Sequence, residues 1–267
     1  MRGESRIPRV LSIAGSDSGG GAGIQADLKA FAACRVHGMT AITAITAQNT
    51  VGVEAIQAVT PELILAQVHA VSSDIGVDAV KVGMLGGIET IDAVAEALAQ
   101  LRAQDPELPV VVDPVMVSET GAVLLEPEAC EALITRILPL ATVVTPNLPE
   151  ARALTGAAQQ AQPAQLARAV HALGPRIVVV TGGHRSEPTD VYYDGERLVE
   201  ISGERYASDA SHGSGCTHSS VLAARLAHGD DPLTAARAAK QAAARSVRDG
   251  LGQIGRGPGP VSILSVT

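Results

Sequence analysis

Along most of this chain, apolar runs of strand length alternate with segments of helical period, and few arrangements of a polypeptide accommodate that order. RVLSIAG is followed by GIQADLKAFAACRVHG, in which Ile24, Leu28 and Phe31 recur at spacings of four and three, so the opening reads as a strand and a helix. The alternation continues through TAITAITAQN, PELILAQVHAVSSDIG, DAVKVGM, IETIDAVAEALAQLRA, PVVVDPVM, EPEACEALITRIL, TVVTPN, a helical stretch to Leu173, and RIVVVTGG. Runs such as IVVV and VVVD lack polar alternation and fit strands buried on both faces. The expected outcome is an α/β fold with a mostly parallel central sheet covered by helices. Beyond His184, TDVYYDG and RLVEISGERYA flank Asp194-Gly195 and read as an antiparallel hairpin at the sheet edge. Two further helices, CTHSSVLAARLAHG and PLTAARAAKQAAARSVRDG, precede an irregular Gly/Pro tail from Gly250, and residues 1–267 are expected to form a single domain.

Composition removes several function classes. The formal charge is −8 with no Lys/Arg cluster, and Phe31, Tyr192, Tyr193 and Tyr206 are the only aromatics, so neither the basic footprint nor the stacking platforms of a nucleic-acid surface are expected. No apolar run reaches about eighteen residues, and MRGESRIPRV lacks the apolar stretch of a signal peptide. A cytoplasmic protein without a membrane partner is expected. Cys34, Cys130 and Cys216 are far apart and form no CxxC pair, which suits a reducing compartment better than a disulfide framework or a zinc knuckle. The expected partner is a small molecule.

Polar residues gather where the apolar strands end: Gly15-Ser16-Asp17, Gln48-Asn49, Asp113, Asn147 and Gly182-Gly183-His184. Ligands of open α/β sheets bind outside such carboxyl ends. Two glycine-rich loops compete for the chemistry. In SDSGGGAGIQAD, Gly21, Gly23 and Ala26 satisfy the loose dinucleotide pattern, yet no acid ends the following strand to hold a ribose, and the plain alternative is a tight strand-to-helix turn. Neither loop is a Walker A motif, because no Gly-Lys-Ser/Thr follows the glycines.

The second loop, His212-Gly213-Ser214-Gly215-Cys216, leads into a helix, where free amide N–H groups and the helix dipole favour an anion. Cys216 at that terminus is expected to have a thiol pKa below its ordinary value and so to accept a proton near neutral pH. A metal site with His212 and His218 is disfavoured, since positions two apart on a helix do not share a face. His212 is a possible activating partner for covalent thiol chemistry.

The motifs AGSDSGGGAGIQADLK, TAITAQNT, KVGML, VVDPVM, TPNLPE, GGH and HGSGCTHS, in this order from about Val10 to Val261, resemble those of the hydroxymethylpyrimidine/phosphomethylpyrimidine kinases of thiamin synthesis. The resemblance implies a ribokinase-like three-layer α/β/α sandwich. It also implies a homodimer that uses ATP and Mg²⁺ to phosphorylate an aminopyrimidine alcohol to its monophosphate and then its diphosphate. Pyridoxine/pyridoxal kinase is the alternative within the same chemistry, and a non-catalytic nucleotide- or pyrimidine-binding protein the alternative outside it.

By the same resemblance, Gly15, Asp27, Gln48, Met84 and Val115 correspond to the pocket for the pyrimidine ring and its hydroxymethyl group. Asp113 and Glu150 correspond to the acids that manage Mg²⁺. Asn147, Thr181, Gly182, Gly183, His184 and Gly213 correspond to nucleotide-side positions. Gly213, Ser214 and Gly215 correspond to an anion hole, and Cys216 to the base that deprotonates the acceptor.

The residues have readings of their own. Gln48 carries both donor and acceptor for an aminopyrimidine edge, or caps a loop. Asp27 reaches the ring or solvates its helix. Met84 touches ligand or fills core. Asp113 before Pro114 is a metal acid or a turn acid, and Glu150 a metal acid or a helix first-turn acid. The chain also departs from the family pattern. Thr181 stands where lysine is common, Ala210-Ser211 replaces Asn-Thr, and Ser214 replaces Thr, so one cation near the transferred phosphate is missing unless Arg185 supplies it.

Overall fold

Ten strands and eight helices follow one another in the expected alternation in a computed structural model that describes residues 6–182, 188–206, 208 and 210–265. The main sheet holds eight of the strands. Its parallel part consists of β2 (His37–Ile42), β1 (Arg9–Ala14), β5 (Ala79–Val82), β6 (Val110–Val112), β7 (Val143–Val144) and β8 (Ile177–Val180), in that spatial order. Antiparallel β9 (Asp190–Tyr193) and β10 (Leu198–Ile201) complete the edge as the expected hairpin. Its turn is held by Asp194 Oδ1, which accepts the Arg197 N–H at 2.7 Å, and by Gly195 at φ 94°.

The strands carry apolar side chains on both faces, and successive residues feed two separate cores. Leu11, Ile13, Val80, Val82, Val110, Val112 and Val178 pack beneath α2 (Pro61–Asp74), α3 (Ile88–Gln104), α4 (Ala129–Ala132), α5 (Leu148–Thr155) and α6 (Pro163–His171). Val10, Val111, Val143, Val179 and Tyr192 pack beneath α1 (Gly23–Ala33), α7 (Ser214–Ala227) and α8 (Pro232–Arg248). The result is the three-layer α/β/α arrangement, with the alternation of side chains along each strand supplying both layers.

Sequence periodicity misplaces one face and one strand. On α1 the buried side runs through Ile24, Ala26, Asp27, Ala30 and Phe31, while Leu28 is partly exposed against the Gly38 backbone. Small residues face inward there because α7 packs close against α1. TAITAITAQN is not a single strand. Thr43 interrupts it, donating its N–H to Ala14 O and its hydroxyl to Met84 O at 2.7 Å. Beyond it, β3 (Ala44–Asn49) leaves the sheet and pairs with β4 (Gly52–Ala58) in a separate two-stranded ribbon. Helix propensity also fails locally in EPEACEALITRIL, where α4 spans only Ala129–Ala132 and widens into a π turn over Leu133–Ile137.

The Gly/Pro tail is irregular as expected, but it is not loose. Val261 donates its N–H to His212 O at 3.0 Å, His212 donates to Gly259 O, and Val261 and Ile263 are buried in the second core. The tail therefore braces the segment that enters α7. Among the described residues, no helix is long and apolar enough to cross a membrane.

Candidate active site

The carboxyl ends of the parallel strands open onto one cavity of about 460 Å³, and the N-terminus of α7 forms its opposite wall. That volume suits a small ligand rather than a macromolecule. Gly15, Gln48, Met84, Val115, Asp113, Asn147, Glu150 and Thr181 all line it, together with the turn over residues 213–216.

The first glycine-rich loop is filled from within. The Asp17 carboxylate accepts the N–H groups of Gly19 at 2.8 Å, Gly21 at 3.0 Å and Ala22 at 2.8 Å. It also meets His212 Nε2 at 3.0 Å. Burial opposes the charge on Asp17, but these partners outweigh it and hold the carboxyl below its ordinary value. The loop already contains its anion, which removes the dinucleotide reading of SGGGAG. His212 is likewise committed to Asp17, so it neither ligates a metal with Cys216 nor activates the thiol.

The second loop keeps only part of its donors open, because Ser214 donates its N–H to Ser211 O at 3.0 Å and His212 its N–H to Gly259 O. Gly213, at φ 88°, is the N-cap of α7 and gives no side-chain cap, and the first-turn amides have no intrahelical acceptor. A Cβ on Gly213 would lie 1.8 Å from Gly21 O, so the two loops touch and glycine is required on both counts. Around Gly215 there is space: its nearest neighbour to a Cβ would be Asp113 Oδ2 at 4.0 Å.

Deeper in the crevice, Gly15 is pressed against Met84, where a Cβ would meet Met84 Cε at 2.4 Å. Met84 is therefore both core filler and lining. Asp27 departs from expectation. It is fully buried on α1 and absent from the lining, and it accepts from Ser12 Oγ at 2.6 Å, Ser220 Oγ at 2.7 Å and Lys81 Nζ at 3.0 Å. Its lone pairs are committed to the protein, so it underpins the site through Lys81 instead of reaching a ring edge. Lys81, on β5, does line the cavity. Sequence reasoning passed over it, although a lysine inside the apolar run AVKV has to be paired to be buried there.

Cys216 also departs from expectation. It is half-buried in the first turn of α7, and burial pushes its thiol up to about 12. Lys81 opposes that rise, Asp27 and Asp113 add to it, and the Gly23 N–H hydrogen bond to the sulfur lowers it only partly. The helix dipole alone does not make a thiolate here.

Asp113 and Glu150 line the cavity together. Burial raises Asp113, with Lys81 and the Ser219 hydroxyl at 2.9 Å opposing, and burial followed by the charge of Asp113 pushes Glu150 up to about 8. Two carboxylates beside an open cavity, one of them raised by the charge of the other, fit a hard divalent cation that keeps some of its waters. Glu150 is a helix acid as well: its Oε2 accepts the Asn147 N–H at 2.8 Å and Asn147 Oδ1 accepts the Glu150 N–H at 2.9 Å, a capping box for α5.

Thr181 lines the wall beyond β8, whereas Gly182 does not. It donates its N–H to Asp190 Oδ1 at 2.9 Å and lies so close to Thr189 that a Cβ would fall 2.0 Å from its carbonyl oxygen. Gly183 and His184, and the Arg185 considered as a charge source, lie outside the described residues. On the same wall stand three residues that the sequence did not single out together: Asp190, His218 and Lys240, whose Nζ reaches Asp190 Oδ1 at 2.6 Å.

The chain is similar to known proteins over nearly its whole length. A family model described as phosphomethylpyrimidine kinase matches residues 17–262. A hydroxymethylpyrimidine/phosphomethylpyrimidine kinase of Rhizobium meliloti is 50% identical over 259 residues, covering 94% of this chain and 95% of that one. Its counterpart in Synechococcus elongatus is 45% identical, covering 96% and 97%. Among solved structures, pyridoxal kinase of Bacillus subtilis in complex with ADP has a TM-score of 0.88 at 36% identity, covering 98% of this chain and 99% of that one. Phosphomethylpyrimidine kinase of Clostridium difficile 630 has a TM-score of 0.75 at 40% identity, covering 87% and 96%.

Proposed function

The chain belongs to the phosphomethylpyrimidine kinase family, and from that premise we propose the following division of labour in its crevice. It is a phosphotransferase that moves the terminal phosphoryl group of ATP to the hydroxymethyl group of 4-amino-5-hydroxymethyl-2-methylpyrimidine, and then phosphorylates that monophosphate to the diphosphate used for thiamin. The observation that carries this reading is a cavity in which an uncharged pocket (Gly15, Gln48, Met84, Val115) meets an open helix N-terminus with two facing acids.

Phosphoryl transfer depends mainly on alignment and on neutralising charge spread over the transferred oxygens. The amides of Gly213 and Gly215 bind those oxygens, the Ser214 N–H being held by Ser211 O, and the α7 dipole favours their charge. Gly15 allows the ring to approach the backbone, Met84 and Val115 pack its faces, and Gln48 offers an amide to its nitrogen edge. Asn147 and Thr181 take the nucleotide side. Asp113 and Glu150 would hold Mg²⁺, which supplies charge neutralisation at the phosphates and relieves Cys216 of one negative neighbour.

Cys216 receives the acceptor proton. It does so as thiolate, after its own proton has left to solvent; because bond formation to the acceptor lags in a loose transition state, that thiolate is needed only late in the transfer. Lys81, fixed by Asp27, is the positive charge that makes thiolate accessible at that moment.

The reading extends to one domain over residues 1–267, a cytoplasmic location and a homodimer. Ile45, Val51 and Ile56, exposed apolar residues on the β3–β4 ribbon, support self-association, which sedimentation would measure.

The decisive experiment incubates the protein with ATP, Mg²⁺ and the pyrimidine alcohol and resolves mono- from diphosphate by mass. Both products are expected, and absence of acceptor-dependent ADP would remove the kinase reading. The likeness to pyridoxal kinases at a TM-score of 0.88 gives a second reading, in which pyridoxal is also accepted. Turnover on the two alcohols side by side separates them, with the pyrimidine favoured because Met84 offers a pyridinol hydroxyl no polar partner.

A further inference from the structure

One wall of the cavity holds a polar group that the fold leaves unmet. His218 is buried, 4% exposed, on α7, and lines the cavity with Thr181, Asp190 and Lys240. Its Nε2 makes an ion-pair contact with Asp190 Oδ2 at 3.3 Å, longer than an ordinary hydrogen bond, and beyond that contact neither ring nitrogen has a hydrogen-bond partner among the described residues. A buried imidazole in that state is unfavourable, and such a group in a folded protein calls for a reason.

The helix gives the direction. His218 follows Ser214 by four residues, so the two share a face of α7, and helical side chains lean towards the N-terminus. The ring therefore stands one turn behind the glycine amides of Gly213 and Gly215. His218 lies close enough to Asp113 and Asp190 to lower both carboxyls. Lys240 is tied to Asp190 at 2.6 Å, so that pair is neutral as a unit, and Thr181 on the same wall brings a hydroxyl and no charge. His218 has only its ion-pair contact with Asp190, and Nδ1 has no partner among the described residues.

We propose that His218 binds the phosphates of the nucleoside triphosphate, donating a ring N–H to an oxygen of the chain that the α7 amides hold, and that Asp190 and Lys240 orient it. This inference rests on the kinase reading above, because the ligand is the triphosphate of that reaction. It assigns to α7 a second contribution beyond its terminus, made by a side chain.

The test compares the parent with His218→Leu and His218→Gln by thermal melting with and without ATP, and by steady-state kinetics. Leucine removes the unmet nitrogens, so the ligand-free variant is expected to melt at or above the parent temperature, with a smaller ATP-induced rise. KM for ATP is expected to increase about 10-fold, the loss of one hydrogen bond to a charged group, with KM for the pyrimidine unchanged. Glutamine, which keeps a donor, is expected to recover part of the ATP effect. Adding Thr181→Lys to His218→Leu is expected to lower KM for ATP again by placing a charge on the same wall. A His218→Leu protein that fails to fold, or melts lower while its ATP-induced rise is unchanged, would show a structural histidine and overturn the proposal. So would unchanged KM for ATP. If the parent itself shows neither an ATP-induced rise nor acceptor-dependent ADP, it is the kinase reading that fails.

Discussion

The two glycine-rich loops of this protein look alike in sequence and do opposite work. In the loop over residues 17–23 the backbone donors turn inward onto Asp17, a carboxylate supplied by the loop itself. In the loop over residues 212–216 no side chain caps the helix, and although His212 and Ser214 donate their N–H groups to Gly259 O and Ser211 O, the glycines stand at the cavity wall without a carboxylate on them. The loops are joined, because His212 bonds to Asp17 and Gly213 rests on Gly21. The first is thus the foundation of the second. Glycine content marks a backbone that must approach something closely, and whether that something is the protein or a ligand depends on whether a carboxylate already occupies the amides.

The sharpest way to break this comparison is Asp17→Ala. It would orphan three amide N–H groups and the buried His212 ring, so we expect about 3 kcal/mol of destabilisation. In calorimetry that corresponds to a melting temperature lower by roughly 6–12 °C, with loss of ATP affinity following from the displaced second loop. A stable protein with unchanged ATP affinity would show that the loops are independent.

Cys216→Ala is expected to lower kcat by about 10²-fold while KM for ATP changes little, since the loop amides remain. Rapid-quench assays at saturating ATP read this directly, and a turnover equal to the parent's would exclude the thiol as proton acceptor.

Gly215→Ala sharpens the comparison from the other side. The position has room, and alanine suits a helix better than glycine, so melting should not fall. The added methyl intrudes where phosphate oxygens sit, and we expect KM for ATP to rise about 10-fold, or about 1.4 kcal/mol. An unaffected KM would mean that phosphates bind elsewhere.

The smallest effect concerns pH and contrasts the carboxylates. Asp17, held below its ordinary value, contributes stability that is present above that value and lost as pH falls. Glu150 is the reverse: raised from 4.5 to about 8, it contributes stability present below 4.5 and lost as pH rises to about 8. Without divalent cation, the parent should melt progressively lower from pH 5 to 8. Glu150→Gln, which keeps an oxygen to accept the Asn147 N–H, should flatten that slope and gain on the order of 1 kcal/mol at pH 8, about 2–4 °C. Added Mg²⁺ should have the same effect on the parent and little on the variant.

Much of the fold was legible because local periodicity reports burial. The α/β alternation, the edge hairpin at Asp194-Gly195 and the gathering of Gly15, Gln48, Asp113 and Asn147 at strand ends all follow from runs of apolar residues and the polar residues that stop them. The ribbon was not legible. Nothing in TAITAITAQN distinguishes Thr43 as the break, because its reason is a pair of bonds to Ala14 and Met84, on other elements. Asp27 was misread for a similar cause: its partners Ser12, Lys81 and Ser220 lie on two strands and another helix. Lys81 itself had a signal, a lone charge in a strand buried on both faces.

By itself, then, the sequence determined the layers, the position of the crevice and the two loops that border it. Tertiary structure decided which loop is free, since the contact between Asp17 and His212 spans 195 positions in the chain. It decided that Cys216 rests as a thiol, because desolvation and the charges of Asp27 and Asp113 outweigh a helix terminus whose influence could be read locally. Periodicity is a property of neighbours in the chain. Hydrogen-bond satisfaction and electrostatic balance belong to neighbours in space, and only folding brings those together.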